Sequence, residues 1–121
     1  MSGEAGDRAL YPVALFSYGT LRLEAVQLKS FGRTLTGGDD AMPGFRMDMI
    51  EITDPEVVRT SGERFHPIVS ASGDPNDEVP GTVFFISESE LEAADKYEVS
   101  DYKRVEVRLR SGITAWVYVR A

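Results

Sequence analysis

Leu15-Phe16-Ser17-Tyr18-Gly19-Thr20-Leu21 carries an apolar strand directly into a tight Tyr-Gly-Thr turn. The residues from Val13 to Phe16 are aliphatic, β-branched and aromatic, the make-up of a buried strand. Gly19 lets the backbone turn sharply and leaves the neighbouring amides uncovered by a side chain. Backbone N–H groups at the end of a buried strand can hold a carboxylate or phosphate oxygen. A glycine turn with no ligand is the alternative. Near the other end of the chain, Asp95-Lys96-Tyr97-Glu98-Val99-Ser100-Asp101-Tyr102-Lys103-Arg104 sets a carboxylate among tyrosines where a helix gives way to a strand.

Between these segments the pattern alternates short strands with turns. Leu23 to Phe31 has apolar residues at 23, 26, 28 and 31, a helical spacing that Gly32 ends. Gly37-Gly38-Asp39-Asp40 is a turn by composition. Phe45 to Ile50 alternates apolar with polar residues as a half-buried strand does, and Met42, Met47 and Met49 read as core filler. Thr53-Asp54-Pro55 and Thr60-Ser61-Gly62-Glu63 punctuate the next stretch. Pro67 to Ala71 is a short strand, Gly73 to Glu78 a surface loop, and Val79 to Ile86 a strong strand. Ser87 and Glu90 have the spacing of a capping box, which predicts a helix over 88–97. Two strands, Arg104 to Leu109 and Ile113 to Val119, close the chain around a Ser111-Gly112 turn.

The expected architecture is a single α+β domain over residues 13–121, with six or seven strands and two helices, hairpin-rich and mostly antiparallel. Residues 1–12 are expected to be a flexible N-terminal tail. Too few helices separate the strands for a doubly wound parallel sheet.

A chain of 121 residues buries roughly two thirds of its unfolded surface, enough for an ordinary core without metal or disulfide staples. Thirteen basic against twenty acidic residues give a net charge of -7. So acidic a surface repels phosphate backbones and anionic lipid, and neither nucleic acid nor membrane is expected as a partner. The absence of cysteine excludes disulfides, thiol nucleophiles and cysteine-ligated zinc, and agrees with a reducing compartment. Met1 to Arg8 has neither the basic start nor the apolar stretch of a secretory signal, and no run approaches the ~20 apolar residues of a membrane span. A cytoplasmic location is the expectation.

Glu98 is the sharpest candidate for chemistry. In a helix starting near Ser87, Leu91, Ala94 and Glu98 share one stripe, so the carboxyl points inward at the rim of the fold. Burial there raises its pKa toward neutrality and suits it to proton transfer. The other placement is a frayed helix end with Glu98 in water or paired with Lys103 or Arg104. Tyr102 and Tyr118 can line a pocket or serve as core residues with satisfied hydroxyls. His66, the single histidine, makes neither a zinc site nor a triad by itself, and a structural role is expected for it. Asp74, Asp77 and Glu78 miss the spacing of a calcium loop, and no phosphate-loop or dinucleotide fingerprint occurs.

Taken in order, Phe16-Ser17-Tyr18-Gly19-Thr20-Leu21, Phe31-Gly32-Arg33, Pro43-Gly44-Phe45, Val79-Pro80-Gly81-Thr82-Val83-Phe84, Asp95-Lys96-Tyr97-Glu98, Tyr102-Lys103-Arg104 and Ala115-Trp116-Val117-Tyr118 resemble the gamma-glutamylcyclotransferase-like superfamily. That superfamily includes the plant avirulence-induced-gene proteins and the gamma-glutamylamine cyclotransferases. The resemblance implies a small mixed barrel-like α+β fold whose cavity is floored by the loop from Tyr18 to Leu21. It implies Glu98 as catalytic acid/base, and Tyr18, Gly19, Thr20, Leu21, Tyr102 and Tyr118 as residues around a γ-glutamyl substrate. The implied products are 5-oxoproline and a free amine, with no cofactor and no metal. Many relatives have glycine after the glutamate, whereas this chain has Val99. A non-catalytic module that captures a small carboxylate-bearing metabolite in the same cavity is the alternative reading.

Overall fold

The computed structural model describes residues 10–121; of the tail expected over 1–12, residues 1–9 lie outside the described residues. Strand β1 (Val13–Ser17) is the middle of a five-stranded sheet ordered β2-β5-β1-β7-β6. The other members are β2 (Gly37–Pro43), β5 (Glu78–Ile86), β6 (Tyr102–Arg108) and β7 (Thr114–Arg120). β1 runs antiparallel to β5, from Val13 opposite Ile86 to Ser17 opposite Thr82. Its other neighbour, β7, is parallel, with Leu15 beside Trp116. Strands β3 (Phe45–Glu51) and β4 (Phe65–Ala71) form a separate antiparallel ribbon, and β4 packs on β7. A 3-10 turn (Thr20–Arg22) and helices α1 (Glu24–Phe31), α2 (Pro55–Ser61) and α3 (Glu88–Tyr97) complete the fold.

Because side chains alternate along a strand, β1 sends Val13 and Leu15 to one face and Phe16 to the other. The first face packs against Val26 of α1 and Leu91 and Ala94 of α3. The second packs with Val69 of the ribbon and Val117 of β7. Both faces of the central strand are therefore dry. Each fully buried aliphatic or aromatic side chain there, such as Leu15 or Phe16, contributes about 1.5–3 kcal/mol relative to leaving it in water.

The capping box of α3 is complete. Ser87 Oγ accepts from the Glu90 amide at 3.2 Å, and Glu90 Oε1 accepts from the Ser87 amide at 2.9 Å. Arg33, behind α1, grips the same Glu90 carboxylate with Nε at 2.7 Å and Nη2 at 2.9 Å while stacking over the Tyr11 ring.

Three sequence expectations are corrected. Gly37 to Asp40 is part of β2, not a turn. A Cβ on Gly37 would stand 2.2 Å from the Val83 carbonyl oxygen, so glycine is there to let two strands approach closely. Residues 55–61 form a third helix, started by Asp54, whose Oδ1 accepts from the Glu56 amide at 3.0 Å, with Pro55 in its first turn. Gly62 ends it in the left-handed conformation, φ 74°. Met42 is fully buried, but Met47 and Met49 are 42% and 58% exposed. They lie on β3, which has a single strand partner, so the alternation there does not mark a covered face. Among the described residues no helix is long and apolar enough to cross a membrane.

Candidate active site

The loop after β1 is tied down by its carbonyl groups. Arg22 Nη2 donates to the Tyr18 carbonyl at 2.9 Å. The buried Gln27 donates to the Leu21 carbonyl at 2.9 Å and accepts from the Leu35 amide at 2.8 Å. The Tyr18 hydroxyl donates to the backbone carbonyl of Tyr118, across the sheet. The Thr20 hydroxyl is bonded to that of Tyr97 at 2.7 Å. With the carbonyls held back, Thr20 and Leu21 begin the 3-10 turn, where the first N–H groups have no acceptor within the helix. The Gly19 amide, by contrast, turns to Ser17 Oγ at 3.3 Å.

Gly19 itself has φ -130°, so it is not needed for a positive φ. Its lack of a side chain matters for another reason: a Cβ would lie 3.2 Å from Pro67 Cγ. The glycine keeps the loop packed on the ribbon.

Glu98 caps the C-terminus of α3, its amide donating to the Ala94 carbonyl at 3.1 Å and its backbone already extended. Leu91 and Ala94, on the same stripe, are buried. The helix does not fray before reaching Glu98, and Arg104 is engaged elsewhere. It makes a two-pronged pair with Asp95, at 2.8 and 3.1 Å, and lies over the Trp116 ring. Val99 has a negative φ, so the turn that brings the Tyr102 amide to the Val99 carbonyl at 3.1 Å does not require glycine. The Glu98 side chain keeps some exposure, but surrounding protein crowds out most of its water. Burial pushes its carboxyl up to about 8.

The tyrosines around it are held neutral. Burial first, and then the charge on Glu98 among other groups, raises the hydroxyls of Tyr18, Tyr97, Tyr102 and Tyr118. Tyr102 donates to the Pro67 carbonyl at 2.8 Å, and Tyr118 to Asp95 Oδ1 at 2.7 Å. Their protons are committed to the walls.

These pieces meet around an open-mouthed pocket of about 330 Å³, counted out to bulk solvent. Its walls are the chain from Phe16 to Leu21, His66 and Pro67 of β4, and Glu98, Tyr102 and Tyr118. Every candidate that the sequence nominated, namely Glu98, Tyr18, Gly19, Thr20, Leu21, Tyr102 and Tyr118, borders this one space. His66 and Pro67 were not nominated. They arrive on the ribbon, far in sequence from either motif, and no spacing rule links them to it. Among the described residues no group of three His, Asp or Glu side chains is placed to hold a metal ion. What the pocket offers is a carboxyl whose pKa is raised to about 8, bordered by the Thr20 and Leu21 backbone of a fixed loop.

Comparison with known proteins bears on the fold and the family. The family model described as gamma-glutamyl cyclotransferase, AIG2-like, matches residues 15–121. No curated protein matches the sequence. Among solved structures, the Arabidopsis thaliana protein At3g28950.1 superimposes with a TM-score of 0.65 at 22% identity, covering 89% of this chain and 61% of its own. A structure named gamma-glutamyl cyclotransferase gives a TM-score of 0.68 at 18% identity, with 90% and 66% covered. The uncharacterized Homo sapiens protein loc79017 gives 0.66 at 21% identity, again with 90% and 66% covered. This chain thus spans less than two thirds of the length of those structures. At such identities the likeness is one of fold.

Proposed function

Since this chain belongs to the AIG2-like gamma-glutamyl cyclotransferase family, we propose that it converts a γ-glutamyl amine or peptide to 5-oxoproline and the free amine, with Glu98 as general acid/base. The observation that carries this reading is a carboxyl whose pKa burial lifts to about 8, bordering the same pocket as the Thr20 and Leu21 amides.

In this reaction the substrate's own α-nitrogen attacks its γ-carbonyl carbon. One C–N bond forms to close the five-membered lactam, and the original amide C–N bond breaks. No water is consumed and no electrons are exchanged. Ring closure within one molecule supplies the nucleophile, so the protein needs none. It has to fold the substrate back on itself, take one proton from the α-ammonium to free the attacking lone pair, and move a second from that nitrogen to the departing amine, the first leaving to solvent or ending on the released amine. A single carboxyl titrating near neutrality can do both halves of that transfer. The loop amides of Thr20 and Leu21 are suited to hold the substrate's α-carboxylate, and the capped tyrosine hydroxyls line the remaining walls without competing for the proton.

The test is release of 5-oxoproline from a panel of γ-glutamyl amines, γ-glutamyl dipeptides and glutathione, with Glu98→Gln alongside. The wild type is expected to release it from at least one member, and the variant to lose roughly 10²- to 10⁴-fold in rate, the range for a positioned acid/base. Undiminished turnover in the variant would remove Glu98 from the role. A ligand that raises the melting temperature yet is recovered unchanged would favour the binding-module reading.

A further inference from the structure

We propose that His66 is a substrate-binding residue whose Nδ1 accepts a hydrogen bond from the α-ammonium group of a γ-glutamyl substrate. This rests on the reading of the pocket given above. The other ring nitrogen is committed to the protein: Nε2 lies 3.0 Å from the Glu63 carbonyl oxygen and 3.1 Å from Ser61 Oγ. A carbonyl oxygen can only accept, so Nε2 carries the ring hydrogen and Nδ1 is left with the lone pair. Among the described residues nothing donates to Nδ1, yet none of their buried side-chain nitrogens or oxygens is without a partner. Nδ1 is therefore not sealed in; it opens on a space, and the space that this ring lines is the pocket. Only 4% of His66 is exposed, so little besides a bound molecule in the pocket can reach it. Burial also pushes the pKa of the ring down, against the Glu63 carbonyl and carboxylate, which keeps it a neutral acceptor at neutral pH.

Position selects the ammonium as the donor. Pro67 follows His66 and is the residue on which Gly19 rests, at the start of the loop whose amides are assigned the α-carboxylate. The α-nitrogen is bonded to the carbon that bears that carboxylate, so anchoring the carboxylate at the loop brings the ammonium toward His66. A hydrogen bond to Nδ1 then fixes rotation about the α-carbon and helps aim the nitrogen at the carbonyl it attacks.

The test compares two probes, γ-glutamyl ethylamide and glutaryl ethylamide, which differ by the α-amino group. Binding is measured calorimetrically on the full chain in a Glu98→Gln background, so that neither probe is consumed. His66→Gln can keep a donor for the Glu63 carbonyl but offers no acceptor at the Nδ1 position; His66→Asn puts its carbonyl oxygen there. The expected result is that His66→Gln weakens the γ-glutamyl probe roughly tenfold and leaves the glutaryl probe unchanged, with His66→Asn recovering much of the loss. Melting curves report whether each variant is folded; if His66→Gln is not, His66→Ala takes its place, since it also removes the acceptor while Ser61 Oγ still donates to the Glu63 carbonyl at 3.2 Å. Equal effects on both probes, or none on either, would overturn the assignment while leaving the pocket reading in place. Failure of the parent chain to bind either probe would overturn both.

Discussion

Glu98 couples the chemistry of the pocket to the stability of the fold. Burial pushes its carboxyl from an ordinary value of 4.5 in the unfolded chain up to about 8 in the folded one. Below 4.5 both states are protonated, and the folded protein has the full benefit of a neutral side chain in a dry site. As pH rises from there through about 8, the unfolded chain gives up the proton freely while the folded one resists, and stability falls by up to about 1.4 kcal/mol per pH unit. Glu98→Gln removes that term. The melting temperature of the variant minus that of the wild type is therefore expected to increase steadily between pH 5 and 8, by about 3–6 °C for each kcal/mol at this chain length. Thermal melts at a series of pH values measure it, and a difference that stays flat would mean that Glu98 ionises as easily folded as unfolded. The Tyr18-Gly19-Thr20 turn is legible from its residues, but the reason for Gly19 is Pro67, which only the folded chain brings near.

At the scale of elements, Gly81 is where the sheet is least forgiving. It lies on β5, and a Cβ built on it would stand 2.4 Å from the Ser17 carbonyl oxygen and 2.6 Å from the Phe16 ring. Both contacts belong to β1, the middle strand, and one is backbone that cannot swing aside. Gly81→Ala is expected to cost at least about 3 kcal/mol, well beyond an ordinary surface change, and chemical denaturation would measure it. A cost under 1 kcal/mol would mean that β1 and β5 separate readily. Elements with local signals were the legible ones: α3 carries its capping box in its own sequence, and the last two strands carry their alternation and their turn. Asp54, Pro55 and Gly62 are start and stop signals of equal quality, yet only seven residues lie between cap and cap, too few for a helical period to stand out. Gly37 and Gly38 misled for the opposite reason. Two glycines beside two aspartates have the composition of a turn, and nothing local says that a neighbouring strand needs the room. Convergence of Glu98 with the Tyr18 loop is likewise not local, since it depends on β1 and β7 pairing in parallel.

For the molecule as a whole, the pocket spans two bodies of unequal firmness. One wall is the five-stranded sheet with its helices, dry on both faces around β1. Another wall is supplied by His66 and Pro67 on β4 of the β3–β4 ribbon, of which β3 has one strand partner and is exposed along most of its length. What ties the ribbon to the sheet includes Val69 in the core, the Tyr102 hydroxyl on the Pro67 carbonyl, and Arg120, whose Nε donates to Ser70 Oγ at 3.1 Å. Local opening follows the thinnest packing, so the amides of β3 should exchange with solvent much faster than those of β1. A ligand that bridges the Thr20 and Leu21 amides to the His66 side of the pocket would add a tie across the two bodies. Since anything that binds only the closed form stabilises it by mass action, exchange in β4 should slow when a γ-glutamyl ethylamide probe is bound to the Glu98→Gln chain, and exchange in β2, remote from the pocket walls, should not. Hydrogen exchange read by mass spectrometry resolves these segments. Protection confined to the Tyr18 loop, with β4 unchanged under saturating probe, would mean that the ligand sits on the sheet alone and that the ribbon is no part of its binding surface.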